Sequence, residues 1–304
     1  GNPDSSPALE FFLAGPSFTA VDAPVQLGFA GHFKVTLQRG SERSVLESWR
    51  SVTLQPGDTL RVGQLSSGRV GYVAAAGLVV APVLGSASTY VRARLGGLDG
   101  RPLAAGDRLQ VAALATSPLD TCSADRVLRQ PPVALDAPIR VVAGPQDDHF
   151  DAAAMAMFLT SEYRISRDAD RMGLRLEGMP LQHRTDKGAE IVSDAAVPGS
   201  IQVPGNGLPI VLLADGQTAG GYPKIATVVS ADLARLASAP VGAAVHFIAV
   251  SVAEAEALAR AHELNIRRCL DMIEPLLLVD GIDQAAIYAN NLVSGMIDAL
   301  APSG

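Results

Sequence analysis

The residues best suited to chemistry lie in one segment, Ile201–Ser230, where polar side chains alternate with glycines and prolines between two apolar runs. Gln217, Thr218 and Lys224 offer hydrogen-bond donors that suit the carbonyl of an amide or ureido group. Fixed donors of this kind stabilise the charge that develops on a carbonyl oxygen during amide chemistry. We therefore predict Lys224, Gln217 and Thr218 as catalytic residues, with a purely structural hydrogen-bonded hairpin as the alternative.

Further side chains are predicted to bind the substrate. Arg171 directly follows Asp170, and a guanidinium can hold a substrate carboxylate through two parallel hydrogen bonds. A structural ion pair that fixes a loop explains the same two residues equally well. The predicted substrate-binding residues are Tyr222, Asp215, Asn206, Gln202, Arg171 and Asp170.

Several classes of function are disfavoured by motif and charge. The sequence has no GxxxxGK[ST] phosphate loop, no HExxH pair, no GxSxG elbow and no Met-Lys-Met biotin acceptor, and its five histidines are isolated. We predict no metal site. The net charge of −7 and the absence of basic clusters with interleaved aromatics argue against nucleic acid as a partner. No apolar run reaches the length of about 18 residues that a membrane span needs.

A cytoplasmic location is the expectation from the ends of the chain and its cysteines. The first residues show no basic segment followed by an apolar one, so no signal peptide is visible. Cys122 and Cys269 lie far apart and have no metal-ligand neighbours at CxxC or CxxH spacing. Both features fit a reduced compartment.

The elements that must position the polar residues resemble short strands joined by tight turns. The 304 residues include 29 Gly and 20 Pro with only 5% aromatics, which favours a strand-rich fold over a helical bundle. One amphipathic helix is predicted at Asp151–Leu159, capped by Asp151, and another over Val252–Val279 with a break at Pro275. Predicted strands include Ser51–Leu54, Thr59–Val62, Gly71–Ala75, Val141–Val142, Ile210–Ala214 and Ile225–Val229.

The chain also repeats itself in order, which is typical of a duplicated unit. The matching pairs are Ala14–Pro16 with Ala143–Pro145, Val52–Gly57 with Ile201–Gly205, Gly71–Val73 with Gly221–Pro223, and Gly106–Val111 with Gly242–Phe247. We therefore predict a first β half at residues 1–128, a Pro-rich linker, a second β half at 139–250, and a helical C-terminal extension at 251–304.

The extension carries an apolar stripe at alternating spacings of four and three residues, which predicts one face of a helix. Its members are Ile282, Ala286, Ala289, Val293, Met296 and Leu300. A helix with a narrow stripe must cover something. Its own domain and a partner subunit are both open as the covered surface.

Motifs in consistent order between Leu9 and Val250 resemble the allophanate hydrolase subunit 2 family. They are Gly15-Pro16, Gly85-Ser86 with Ser88–Tyr90, Gly96–Leu103, Gly144–Asp147, Asp170–Gly173, Ile201–Pro204 and Gln217–Lys224. The resemblance implies a mainly β fold with some helix, in which duplicated cyclophilin-like β-barrel halves precede the helical extension. Gly216 departs from the family pattern, where arginine is common, and Ala219 replaces a frequent threonine.

The family includes the C subunit of 5-oxoprolinase, the Kip antagonist protein and the carboxyltransferase region of urea carboxylase, so the resemblance implies three candidate functions. The first is a subunit of a cytoplasmic ATP-dependent amide or lactam hydrolase, in a hetero-oligomer with a subunit 1-type, Kip inhibitor-like partner; this chain shows no nucleotide motif, so ATP would act with the partner. The second is half of a carboxyltransferase that takes biotin from another chain. The third is a regulator that binds the partner without turnover.

Overall fold

The structure, a computed structural model, describes residues 2–3, 5–112, 125–129 and 137–276. These residues form mainly β-structure with three α-helices, including a long C-terminal one, and the predicted fold class is confirmed. The predicted apolar stripe from Ile282 to Leu300 and most of the predicted linker lie outside the described residues, as does Cys122.

The amino-terminal sheet is antiparallel and centres on two long strands. Its order is β1-β6-β3-β4, with β2 paired to β6 and β5 paired to β3. The strands are β1 (Leu9–Phe12), β2 (Ser17–Thr19), β3 (Val25–Arg39), β4 (Glu42–Glu47), β5 (Ser51–Leu54) and β6 (Thr59–Ala75). Strand β5 has the predicted bounds.

The predicted strands Thr59–Val62 and Gly71–Ala75 are the two ends of the single strand β6. The turn-like residues between them, centred on Gly68, do not end the strand. Its pairing register with β3 shifts in this region instead, and Gly68 has φ +76°. A bulge absorbs the extra residues and bends the strand, so turn residues here mark a bulge rather than a boundary.

A second, larger sheet contains eight strands in the order β16-β9-β10-β13-β12-β15-β8-β17 and forms a nearly closed barrel. All its pairs are antiparallel except β17 with β8. Two further pairs, β11 with β14 and β7 with β18, lie outside it. The strands are β7 (Arg126–Val127), β8 (Ile139–Ala143), β9 (Tyr163–Ile165), β10 (Gly173–Glu177), β11 (Asp194–Ala195), β12 (Ser200–Gln202), β13 (Ile210–Leu212), β14 (Ala219–Gly220), β15 (Lys224–Val228), β16 (Ala244–Val245), β17 (Phe247–Ala249) and β18 (Glu274–Pro275).

The helices are α1 (Ala152–Thr160), α2 (Ser230–Ser238) and α3 (Val252–Asp271). The predicted cap is confirmed, because the Asp151 carboxylate accepts a hydrogen bond from the backbone N–H of Ala154 at 2.8 Å. Helix α3 ends at Asp271, earlier than the predicted break at Pro275, because residues 274–275 pair with β7 as strand β18.

Each sheet has its own hydrophobic core. In the amino-terminal unit Phe11 and Phe29 both pack edge-to-face against Phe33. In the second unit Phe158 stacks on Phe247 at a centroid distance of 4.7 Å. The two cores fit the predicted division into halves, although the domain boundaries and the internal repeat stay predictions. Of the repeated pairs, Gly71–Val73 lies inside strand β6 and Gly221–Pro223 lies in a bend.

Candidate functional site

The bend before β15 brings two of the predicted site residues together on one face of the barrel. Strand β12 pairs with β15 so that Gln202 lies opposite Lys224, next to a bulge at Ile201. Directly opposed residues of an antiparallel pair project to the same side of the sheet. Both side chains are almost fully buried, with 1% exposure each.

The amine of Lys224 lies against a carboxylate at the surface. Its Nζ donates to Oδ2 of Asp194 at 3.1 Å, and the Asp194 side chain is half-exposed. Gln146 fixes this pair: its Nε2 donates to the same Asp194 oxygen at 2.9 Å, and its Oε1 accepts from the Lys224 backbone N–H at 3.2 Å. The hydrogen bonds from Gln146 and then Lys224 hold the pKa of Asp194 below its usual value. The lysine amine is therefore held in place just beneath the surface.

Gln202 keeps one donor unpaired. Its Oε1 accepts from Nε2 of Gln217 at 2.9 Å, but its own Nε2 is buried with no hydrogen-bond partner among the described residues. Leaving such a group unpaired costs about 1–3 kcal/mol. The side chain of Gln217 is exposed, so its movement would open a path to the Gln202 amide. The arrangement can donate to the oxygen of a bound amide.

Gly220 makes room for that donor. A Cβ at position 220 would lie 2.4 Å from Nε2 of Gln202, so a larger residue would displace the amide. In the short β11–β14 ladder Gly220 also pairs with Asp194, the partner of Lys224. Lys224, Asp194, Gly220 and Gln202 therefore form one connected group, which we call the lysine cluster together with Gln146 and Gln217.

Thr218 and Tyr222 flank the lysine cluster in the same bend. The backbone carbonyl of Thr218 accepts from the N–H of Ala196 at 2.9 Å, and its side chain is exposed. Tyr222 is 41% exposed at the surface of the bend. Their predicted roles stay predictions.

Asn206 lies at a different pocket. Its Oδ1 accepts from the backbone N–H of Leu208 at 3.1 Å. It lines a pocket of about 280 Å³ with residues that include Ser166, Asp168 and Arg175, and no other predicted site residue lines that pocket. The structure does not bring Asn206 together with the lysine cluster.

Arg171 has carboxylate partners for all three of its guanidinium nitrogens. Nε and Nη2 donate to the two oxygens of Asp215 at 2.9 and 3.1 Å, and Nη1 donates to Oε1 of Glu10 on strand β1. The hydrogen bond from Asp215 raises the pKa of Arg171 further above its usual value, although burial opposes this. The geometry fits the structural ion pair that the sequence left open.

Asp170 is likewise occupied by local contacts. Oδ1 accepts from the backbone N–H groups of Met172 and Gly173 at 2.8 and 3.2 Å. Oδ2 pairs with Arg92 of the amino-terminal unit at 3.0 Å. Together Asp170 and Arg171 hold the loop against the amino-terminal unit.

Gly216 has a packing reason for its small size. A Cβ at this position would lie 2.9 Å from the carbonyl oxygen of Leu213 and 3.1 Å from that of Met172. The departure from arginine therefore accompanies a close approach of backbone segments.

Two members of the lysine cluster were not predicted as site residues. Gln146 stands in the Gly144–Asp147 motif, so its family resemblance was a usable signal. Asp194 stands in an irregular segment with no strand pattern around it, and its sequence neighbourhood gives no sign that it contacts Lys224. Only the pairing of β11 with β14 brings it there.

The cluster suits an amide or ureido carbonyl rather than a metal. Among the described residues, no group of three or more His, Cys, Asp or Glu side chains could hold a metal ion. None of the helices in the described part of the chain combines the length and the apolar character needed to cross a membrane.

Comparison with known proteins places this geometry in a family. The model of the carboxyltransferase domain, subdomain A and B, matches residues 1–249. The chain is 36% identical over 260 residues to the C subunit of 5-oxoprolinase from Escherichia coli K12, covering 84% of this chain and 79% of that protein. It is 34% identical over 279 residues to the equivalent 5-oxoprolinase protein of Haemophilus influenzae, covering 89% and 85%. These matches confirm the predicted resemblance.

A solved structure shares the fold. The crystal structure of the K. lactis urea amidolyase matches 92% of this chain with a TM-score of 0.75 at 25% identity. The chain spans only 18% of that much longer protein. The region in common corresponds to one part of the larger enzyme.

Proposed function

The chain belongs to the carboxyltransferase domain family, subdomains A and B, and from this membership we propose that it is the C subunit of an ATP-dependent 5-oxoprolinase. In this role it handles the amide of a lactam substrate inside a hetero-oligomer. The relatives from E. coli and H. influenzae bear that name and match over most of their own length. The observation that carries the proposal is the unpaired buried N–H of Gln202 opposite the amine of Lys224.

The lysine cluster would act by stabilising charge on the amide oxygen. As a nucleophile adds to the lactam carbonyl, negative charge develops on its oxygen, and Nε2 of Gln202 and the Lys224 ammonium donate to that oxygen. Asp194 and Gln146 hold the ammonium in position, which removes the need for reorganisation during the reaction. Thr218 and Tyr222 would bound the substrate in the bend, with Gln217 moving aside to admit it.

ATP enters this proposal through the complex rather than through this chain. The sequence has no nucleotide-binding motif, so we assign nucleotide binding to the partner chains. A subunit 1-type, Kip inhibitor-like protein is the proposed partner, and the cytoplasm is the proposed location. ATP would activate the amide, while the residues of this chain bind and orient it.

A second candidate is the carboxyltransferase half of a biotin-dependent urea or amide carboxylase. The shared fold with the K. lactis urea amidolyase favours it. The same donors would hold the ureido oxygen of biotin carried by another chain. This chain would then exchange a carboxyl group between biotin and the amide rather than assist lactam opening.

The test is an assay of the purified complex with its partner chains. ATP hydrolysis that depends on 5-oxoproline supports the first function, and consumption of biotin-bound carboxylate supports the second. A Lys224→Ala, Gln217→Ala double variant should lose most of either activity. Lys187→Ala is the matched control, because Lys187 is also a lysine paired with an aspartate, Asp148, but lies outside the cluster. Full activity of the double variant would remove the cluster from the mechanism, and partner binding without any turnover would favour a regulator.

A further inference from the structure

A second unpaired buried donor lies between the two units, on the bulged part of strand β6. Arg69 follows Gly68, whose φ of +76° belongs to the register shift between β3 and β6. This bend points Arg69 towards α2 of the second unit, where Nη2 donates to the backbone carbonyl of Ala237 at 3.2 Å. A Cβ at Gly68 would lie 3.2 Å from the carbonyl oxygen of Ser238. The glycine thus allows the close approach that buries Arg69.

Most of the hydrogen-bonding capacity of Arg69 is unused. The residue is 7% exposed, and its Nε and Nη1 atoms are buried with no partner among the described residues. A guanidinium has five N–H groups and no way to lose its charge at neutral pH. Burial lowers the pKa of Arg69, and the charges of Asp170 and Glu10 oppose that effect.

Both nearby carboxylates are already committed to other groups. Asp170 pairs with Arg92 and with two backbone N–H groups. Glu10 binds Arg171 and accepts a hydrogen bond from the Tyr72 hydroxyl at 3.1 Å. Arg69 is therefore a buried cation without a direct anionic partner in a cluster whose other cations are paired.

We propose that Arg69 anchors a binding site for the carboxylate of a small monoanion at the contact between the two units. A carboxylate can accept two parallel hydrogen bonds from the unpaired side of the guanidinium. The charges of Arg69, Arg92 and Arg171 balance those of Glu10, Asp170 and Asp215, so a bound monoanion leaves one excess negative charge. A dianion such as phosphate would leave two, next to committed carboxylates that repel it.

Access to the site depends on one aromatic side chain. The guanidinium carbon of Arg69 lies 6.0 Å from the centre of the Phe12 ring, and Phe12 is 39% exposed. Rotation of Phe12 would uncover the guanidinium without disturbing either core. The ring also provides an apolar wall that excludes water and strengthens the ion pair once the anion is bound.

The carboxylate could be that of a free small acid or that of the substrate, and the test separates these sources. The purified chain is titrated by calorimetry with sodium acetate, sodium 5-oxo-L-proline and sodium phosphate at constant ionic strength. Binding of acetate and 5-oxoproline alike identifies a general carboxylate site; binding of 5-oxoproline alone identifies a substrate site. Both outcomes support the proposal if phosphate binds more weakly. Absence of binding by either carboxylate overturns it.

Variants locate the site independently of catalysis. Arg69→Gln should weaken carboxylate binding about tenfold or more, since it removes a charged bidentate partner. Arg61→Gln, an exposed arginine on the same strand, should not. Lys224→Met should retain carboxylate binding even though it abolishes the proposed activity, so failure of either proposal can be recognised separately. Carboxylate binding that is lost in Lys224→Met and kept in Arg69→Gln would place the anion elsewhere and refute this site.

A second pair of variants covers the case in which Arg69→Gln does not fold. Phe12→Ala removes the side chain that covers the guanidinium and should raise the association rate several-fold. Leu13→Ala, a change of the exposed neighbour, should leave the rate as it is. Equal rates in the two variants would contradict the predicted access route.

Discussion

Lys224 and Arg171 are both cations that the sequence places in the site, yet their surroundings differ. Lys224 is buried and has a single half-exposed carboxylate as its charged partner. Arg171 is one-third exposed and has carboxylates on all three guanidinium nitrogens. A saturated cation has no donor left for a ligand, whereas the amine of Lys224 lies opposite an amide with an unpaired N–H. The comparison shows that unused hydrogen-bonding capacity separates a candidate site from a structural contact better than charge does.

The difference arises from position in the fold. Arg171 lies in a loop that must join the two units, so its partners Glu10 and Asp215 come from both of them. Lys224 begins a strand inside the barrel, where its neighbours are fixed by sheet register. Register fixes the side chains and leaves their remaining donors pointing at the bend.

The largest expected effect is loss of activity in Lys224→Met. Methionine has similar length without charge, so the fold should persist while stabilisation of the amide oxygen is lost. Removing one such donor lowers turnover about 100- to 1,000-fold in comparable sites. The measurement is kcat of the reconstituted complex with its amide substrate. Lys187→Met, at an exposed ion pair, provides the control, and turnover near that of the unaltered complex would show that Lys224 is structural.

Arg171→Met should produce the opposite result, with stability lost and turnover kept. It leaves the carboxylates of Glu10 and Asp215 without a counter-charge. The expected loss is about 2 kcal/mol in the free energy of unfolding, below the value for a fully buried pair because the Arg171 side chain is 34% exposed. Denaturant unfolding measures it, with Arg167→Met as an exposed control in the same loop. A large fall in kcat at unchanged stability would restore Arg171 to the site.

A pair of neighbouring glycines tests the space beside Gln202. A Cβ at Gly220 would lie 2.4 Å from Nε2 of Gln202, whereas a Cβ at Gly221 would find its nearest neighbour at 3.5 Å. Gly220→Ala should therefore displace the amide and lower turnover about tenfold, which corresponds to roughly 1.4 kcal/mol. Gly221→Ala should have little effect. Equal activities in steady-state assays would mean that the position of Gln202 does not matter.

The sequence predicted the parts of this molecule that depend on local pattern. The strand Ser51–Leu54 and the helix capped by Asp151 follow from side-chain alternation and from a carboxylate before an apolar run. It failed to predict that β6 continues through Gly68, because a bulge uses the same residues as a turn.

The candidate site was only partly predictable for a related reason. Gln202, Gln217 and Lys224 fall in one segment, so composition alone drew attention to them. Asp194 joins them through pairing of two short strands, which no local pattern encodes. Whether Arg171 is saturated depends on Glu10, which is distant in sequence.

The smallest expected effect concerns a third unpaired group, the hydroxyl of Tyr163, which lies in the second core with no partner among the described residues. Burial raises its pKa from the usual 10.0 to about 12. The folded state therefore keeps the proton after the unfolded state has lost it, and stability should decline from about pH 10 to about pH 12.

Tyr163→Phe removes both the ionisable group and the unpaired hydroxyl. Its stability at pH 7 should be within about 1 kcal/mol of the original, since no hydrogen bond is lost. At pH 11 the variant should gain about 1 kcal/mol relative to the original, by the linkage between proton binding and folding. Urea unfolding at both pH values measures the difference. A large loss at pH 7 would show that the hydroxyl has a partner, and an unpaired donor would then be weaker support for a site at Gln202 as well.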